Sequence, residues 1–319
     1  MKIAYIILAH RYPEQLTRLV LRLNSENVSF FIHIDKRTDS RIYHQATTQL
    51  CHLNNVHFIH RNKCYWGGFG LVQAPIEGIN EIFKRNISFD WLILLTGQDY
   101  PLKSNNQIAK VLEENEGKIF MTYEDYRIPP DKSWQTSGTD RIHYWHFILT
   151  THFRLVLPPQ LTASTYLRSK ILKIKWLRLV SSLYTSLLFW VPIEERVFLK
   201  DFNVFLGSAS WCLPRNCVEY IQNFIQTNPA YVNYFKYVEI PDELFFQTIV
   251  LNSPFKDKVV NDNLFYIDWQ NPNPKGPRVF VKDDFNRLAN TSDLFGRKFD
   301  STRDAEILDM IDEKILEKV

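Results

Sequence analysis

The pattern that most constrains this chain is a strand, an amphipathic helix and a second strand within its first 35 residues. Residues 3–9, IAYIILA, are continuously apolar, as in a strand buried on both faces. Leu16, Leu19, Val20 and Leu23 then recur at helical spacing, with Arg18 and Arg22 between them and Pro13 suited to the helix start. Residues 29–35, SFFIHID, form the next strand. Two strands joined through a helix are expected to be parallel and adjacent. The first delivers Ala9 and His10 at its carboxyl end, the second Asp35, which is the geometry of a nucleotide pocket. No GxGxxG follows the first strand, which argues against a dinucleotide-binding Rossmann domain.

The stretch WLILLTGQDYPLK, residues 91–103, repeats the theme. Trp91 to Leu95 read as another doubly buried strand, and Thr96-Gly97-Gln98-Asp99 as its exit turn. Ligands bind outside the carboxyl ends of such strands. Gly97 permits close backbone approach, Asp99 supplies a charge, and Pro101 stiffens the exit.

Further segments fit the same α/β plan. VHFIH (residues 56–60) reads as a strand, residues 71–83 and 105–112 as helices, and KIFMTY (residues 118–123) as a strand. FNVFLGSASWCL (residues 202–213) reads as strand, turn, strand, with a helix from Pro214 to Phe224. Residues 238–253, VEIPDELFFQTIVLNS, predict a helix with Pro241, Asp242 and Glu243 in its first turn. There Glu243 is either a complement to the helix dipole or a carboxylate held rigidly as a general base. In RNKCYWGGFG, Trp66 beside two glycines either stacks on a base or packs within its loop. The tail from Asp304 onward reads as a polar amphipathic surface helix.

Formal charge is +3, too balanced for a typical nucleic-acid binder. The cysteines Cys51, Cys64, Cys212 and Cys217 lack CxxC spacing and are expected to be free thiols. The first residues read as a strand and not as a signal peptide, and no apolar run is long enough for a spanning helix. Residues 127–154 are rich in Trp, Tyr, His and Arg, including Trp134, Arg141, Tyr144 and His152, and suit an acceptor groove. They contain neither HxxxH nor HExxH, so no metal site is expected. Residues 167–193 interleave Lys170, Lys173, Lys175 and Arg178 with aliphatic and aromatic side chains. Such a segment either docks on a membrane surface or packs on the protein's own core.

Taken in order, AYIILAH, FIHIDKR, YWGG, LLTGQDYPLKS, RIHYWHF, GSASW, PDELFFQT, YIDW and FGRKFD resemble the core-2/I-branching β-1,6-N-acetylglucosaminyltransferase and peptide O-xylosyltransferase family. The resemblance spans nearly the whole chain and is weakest at about residues 160–195, which look like an insertion. It implies a GT-A-like α/β fold with a mainly parallel, Rossmann-like sheet flanked by helices. One glycosyltransferase domain is expected over residues 1–319, with a nucleotide half (1–125) and an acceptor and catalytic half (126–319). The implied activity is inverting transfer of a sugar, N-acetylglucosamine first, from a UDP-sugar to a glycan acceptor. A xylosyl or other UDP-sugar transferase, or a non-catalytic sugar-binding module, is the alternative. Glu243 matches the family's base. Arg278 and Lys298, helped by Arg297, match the cations on the diphosphate, and Ala9, His10, Asp35 and Trp66 fall on the donor side. Asp99, Arg141, Tyr144 and Trp211 fall on the acceptor side, Asp99 in the family's characteristic turn, where it either touches substrate or holds the loop. The family lacks a metal-binding DxD, and none follows a strand in the nucleotide half here, so no divalent metal is expected. The implied setting is cytoplasmic, with contact at the inner membrane face through residues 167–193.

Overall fold

A computed structural model describes residues 1–126, 141–150, 154–157, 196–199, 202–270 and 276–316. The expectations for Trp134, His152 and residues 167–193 lie outside them. In chain order, β1 (Ile3–Ala9), α1 (Pro13–Leu23) and β2 (Val28–Ile34) form the expected unit, with Pro13 opening the helix. Next come α2 (Ser40–Leu50), β3 (Val56–Phe58), α3 (Gly70–Lys84) and β4 (Trp91–Thr96). Then follow β5 (Asp99–Pro101), α4 (Asn105–Glu114), β6 (Ile119–Phe120) and β7 (Glu124–Asp125). A capping box between Ser104 and Gln107 fixes the start of α4. The hairpin β8 (Trp145–Ile148) and β9 (Arg154–Leu157) precedes β10 (Phe205–Leu206) and β11 (Cys212–Pro214).

Helices α5 (Arg215–Thr227), α6 (Pro229–Phe235) and α7 (Phe245–Leu251) lead to β12 (Val259–Val260) and β13 (Phe265–Ile267). The chain closes with α8 (Phe285–Asn290), β14 (Phe295–Arg297) and α9 (Glu306–Ile311).

The central sheet has the order β12-β6-β11-β4-β1-β2-β3. β1 pairs in parallel with β2 and β4, and β3 extends the run beyond β2. β11 enters antiparallel between β4 and β6. Both faces are covered, as the unbroken apolar runs require. Ile3, Tyr5 and Ile7 pack with Leu16, Leu19, Ile108 and Ile307 on one face. Ala4 and Ile6 pack with Ile76, Ile79, Val218 and Phe246 on the other. A Cβ on Gly78 would lie 2.6 Å from Ile6 Cδ1, so this glycine lets α3 settle onto the sheet. This largely parallel sheet between helices agrees with the expected GT-A-like architecture.

A second sheet, β13-β14-β5, carries the last third of the chain back to the turn after β4. Three features differ from the sequence reading. First, α2 and α6 were not anticipated; α2 buries only Ala46 and Leu50, too thin a stripe to show as periodicity. Second, the helix expected over 238–253 is split. A 3₁₀ turn, Pro241–Glu243, ends at Leu244 (φ −127°), and α7 starts afterwards. Third, the tail is anchored: Ile307, Leu308 and Ile311 are buried, and Asp312 is inside with them.

Candidate active site

The strand order changes direction at β1, with β2 and β3 on one side and β4 on the other. The crevice outside the carboxyl ends at such a switch point is where ligands bind in open α/β sheets. Here β1 exits into His10 and Arg11, β2 into Asp35, and β4 into Thr96-Gly97-Gln98. Gly97 N donates to Leu8 O at 2.9 Å, and a Cβ there would press on Ala9 at 3.2 Å. Ala9 itself is buried, and its carbonyl accepts from Asp35 N at 2.9 Å, so it forms the floor.

Asp35 is buried and held from several directions. The amides of Arg37 (2.9 Å) and Cys64 (3.3 Å) donate to Oδ1, and the Arg37 guanidinium reaches Oδ2 at 2.7 Å. Burial alone would raise its pKa, but these donors outweigh it and hold the carboxyl below its ordinary value. Arg37 also lies over the Tyr65 ring, 4.4 Å from its centroid, which ties the loop bearing Trp66 to the end of β2. Trp66 is 61% exposed, with Arg154 at 4.9 Å from its ring centroid and Gly67 at φ +75° behind it. The indole is therefore displayed and not packed away.

Cationic groups converge on the exits of β1 and β14. Arg297 Nη1 donates to Asp99 Oδ1 at 2.8 Å and also to Thr96 Oγ1. Lys298 follows, and burial, then the charges of Arg11 and Arg297, lower its pKa. Arg11 Nη2 donates to Gln98 Oε1 at 2.9 Å, while its shielded Nε has no hydrogen-bond partner. His10 is pushed down to about 4, first by desolvation and then by Arg11, with Lys298 and Arg37 adding to Arg11's effect and Asp35 opposing it. Crowded cations that depress one another's proton affinity form a ready site for an anion. Arg11 escaped the sequence reading, although its place directly after a buried strand end was the available signal.

Two expected site residues, Asp99 and Trp211, are corrected by the geometry. Asp99 is fully buried and accepts from Thr96 N at 2.6 Å as well as from Arg297, so it positions Arg297 instead of touching an acceptor. Trp211 is also fully buried, its ring 5.4 Å from Phe246, and presents no surface to an acceptor. Arg278, like Arg297, is held in place by carboxylates. Its guanidinium is engaged with Asp268 (2.9 Å) and Asp284 (2.5 Å), and the chain beside it, Phe280 N, donates to Lys298 O. Tyr144 is half-buried, and its carbonyl accepts from Arg196 Nη1 at 3.3 Å. Arg141 faces the Glu243 carboxylate.

The Pro241–Glu243 turn presents two carboxylates. Ile240 sits in the left-handed region (φ 51°), and its N–H donates to Gly67 O at 2.9 Å, joining this turn to the Trp66 loop. On the other side Gly207 N donates to Glu243 O at 2.8 Å. A Cβ on Gly207 would fall 1.9 Å from Thr122 O, which explains the glycine in GSASW. Glu243 Oε2 is shielded from solvent, accepts no hydrogen bond, and lies 3.6 Å from Arg141 Nη1. Burial first, then the adjacent Asp242 charge, push Glu243 up to about 8, with Arg141 opposing. Glu243 makes no capping bond to α7 and belongs to the separate turn ahead of it. Asp242 is pushed up to about 6 by burial, and its shielded Oδ1 also lacks a partner.

Among the described residues, no group of three or more His, Cys, Asp or Glu side chains is arranged to hold a metal. The exposed indole of Trp269, at the end of β13 beside Asp268, is a further flat surface that the sequence reading passed over. The arrangement offers an anion site at the switch point, a displayed aromatic near Asp35, and a carboxylate of raised proton affinity.

Comparison with known proteins gives one picture. The family model described as "Branch: Core-2/I-Branching enzyme" matches residues 3–157 and 170–289. The chain is similar to "Xylosyltransferase 2" of Rattus norvegicus, 25% identical over 336 residues, covering 98% of the chain and 33% of that protein. It is also similar to "Beta-glucuronosyltransferase GlcAT14A" of Arabidopsis thaliana, 24% identical over 317 residues, covering 96% of the chain and 62% of that protein. "Beta-glucuronosyltransferase GlcAT14B" of the same plant is 24% identical over 326 residues, covering 99% and 66%. The chain thus spans about a third of the xylosyltransferase and under two thirds of each plant protein.

Proposed function

The chain belongs to the core-2/I-branching enzyme family, and on that premise we propose that it is an inverting glycosyltransferase using a UDP-sugar donor. The observation that carries this reading is the shielded, unbonded Glu243 Oε2 held near Arg141. In the proposed step, Glu243 takes the proton of an acceptor hydroxyl as that oxygen attacks the anomeric carbon. The bond from that carbon to the diphosphate breaks, and UDP leaves with the electron pair. A base whose proton affinity lies near the working pH contributes about 10²–10⁴-fold. Lys298, Arg297 and Arg11 stabilise the charge that develops on the diphosphate, and being already fixed they need not reorganise. Asp35 and the Trp66 loop take the nucleoside. No divalent metal is required in this scheme, so activity is expected to survive EDTA; loss on chelation with recovery on adding manganese would contradict it.

For the transferred sugar, N-acetylglucosamine is the first proposal, from the sequence resemblance. The names of the relatives put xylose and glucuronate beside it. Thermal shift against UDP and the three corresponding UDP-sugars separates them, because a bound donor raises stability by mass action. The acceptor is proposed to be a glycan or lipid-linked glycan, met at the cytoplasmic membrane face through residues 167–193. Failure of the full chain to co-sediment with anionic vesicles would remove the membrane part. A silent sugar-binding module would bind donor yet show no Glu243-dependent transfer or hydrolysis.

A further inference from the structure

Glu243 has a neighbour that the proposed step does not use. Asp242 shares its 3₁₀ turn, and its Oδ1 is withdrawn from solvent without a hydrogen bond. A buried carboxylate oxygen left unbonded is costly and calls for a partner. The charged and titratable groups around it come from several elements. They are Glu243 on the same turn, Arg141 from the segment before β8, Arg297 from β14, and Cys64 from the loop after β3. Arg141 also faces the base, whereas Arg297 belongs to the diphosphate cluster. Asp242 therefore adjoins the base on its own turn and also feels the charge of Arg297 from the cation cluster.

We propose that Asp242 is a specificity-determining residue that accepts a hydrogen bond from a hydroxyl of the donor sugar; this rests on the glycosyltransferase reading above. With its pKa raised only to about 6, the carboxyl is mostly ionised at pH 7.5 and acts purely as an acceptor. Bonding to an ionised acceptor makes it selective for a sugar that offers a hydroxyl there and selective against one that does not. Its charge has a second effect, because it is one cause of the raised proton affinity of Glu243.

The test uses the full chain and compares calorimetric binding of UDP with binding of whichever of UDP-N-acetylglucosamine, UDP-xylose and UDP-glucuronate the wild type prefers. For Asp242→Ala the expected result is UDP affinity within about threefold of wild type and UDP-sugar affinity about 10–100-fold weaker. Asp242→Asn, which keeps the shape, is expected to give a smaller loss of the same kind and to move the alkaline rise of the pH–rate profile to lower pH. Should the alanine variant fail to fold, the asparagine variant carries the test alone. Equal weakening of UDP and UDP-sugar, or no change in either, would overturn the assignment of Asp242. Absence of any UDP or UDP-sugar binding by the wild type would instead overturn the donor reading, and this inference with it.

Discussion

Asp99 and Arg297 lie 198 residues apart in the chain, yet Oδ1 of one sits 2.8 Å from Nη1 of the other. Asp99 is fully buried and Arg297 partly so. The pair fastens the second sheet to the exit turn of β4 and holds Arg297 at the head of the cation cluster. Removing one member of a buried pair costs about 3–5 kcal/mol. Asp99→Ala should therefore lower the urea midpoint strongly, and the folded fraction should bind UDP more weakly. Unchanged stability would show that the pair is not structural.

Lys298 is close enough to Arg11 for that charge to disfavour its own. An anion relieves that repulsion. Lys298→Ala should weaken UDP binding at least about tenfold, on the scale of a lost charge-assisted hydrogen bond. Arg11→Ala should follow it with a smaller loss. In both variants the decline of affinity with added salt should be shallower, which titration at two ionic strengths reads directly.

Glu243 makes rate and stability respond to pH in opposite ways. As a base it must be ionised, so kcat/KM should climb with pH and level off above about 8. For stability, the folded carboxyl keeps its proton up to about 8 while the unfolded one loses it near its ordinary value of 4.5. The folded state thus binds more protons between those values, and stability falls as pH rises through that window. Glu243→Gln should remove the fall and be more stable than wild type at pH 8, with little difference at pH 4.5. Thermal melts across that range check the sign.

Asp312 is a separate anchor. It is nearly fully buried, and it accepts from Arg18 Nη2 at 2.6 Å, Arg22 Nε at 2.9 Å and the Tyr100 hydroxyl at 2.7 Å. Asp312→Ala removes the acceptor that these three donors share, leaving Arg18 its ion pair with Asp309 at 2.7 Å, and should cost about 3–5 kcal/mol. Because Asp312 stands on the α1 side of the sheet, away from the groups of the cleft, kcat of the folded enzyme should remain near wild type. A matched fall in kcat at a temperature far below the melt would contradict that separation.

The strands of the nucleotide half were legible because each is buried on both faces and shows as an unbroken apolar run. Their polar exits, His10, Asp35 and Thr96 to Asp99, were legible for the same reason. What local patterning did not show were relations formed at long range. Asp99 looked like a ligand-facing charge, and only its pairing with Arg297 shows it to be a support. The resemblance puts Trp211 beside the acceptor, but its ring packs in the core against Phe246. The resemblance puts Arg278 on the diphosphate, and local patterning does not show that Asp268 and Asp284 hold its guanidinium. The break at Leu244, which places Glu243 on its own turn, has no signature in an otherwise helical pattern.

The central claim is that Glu243 removes the acceptor proton. The most direct measurement is a paired one on Glu243→Gln: affinity for UDP, and turnover of the preferred UDP-sugar with a glycan acceptor. The account predicts UDP affinity close to wild type with turnover reduced by about 10²–10⁴-fold or more. Turnover within a few-fold of wild type, with UDP binding intact, would contradict it.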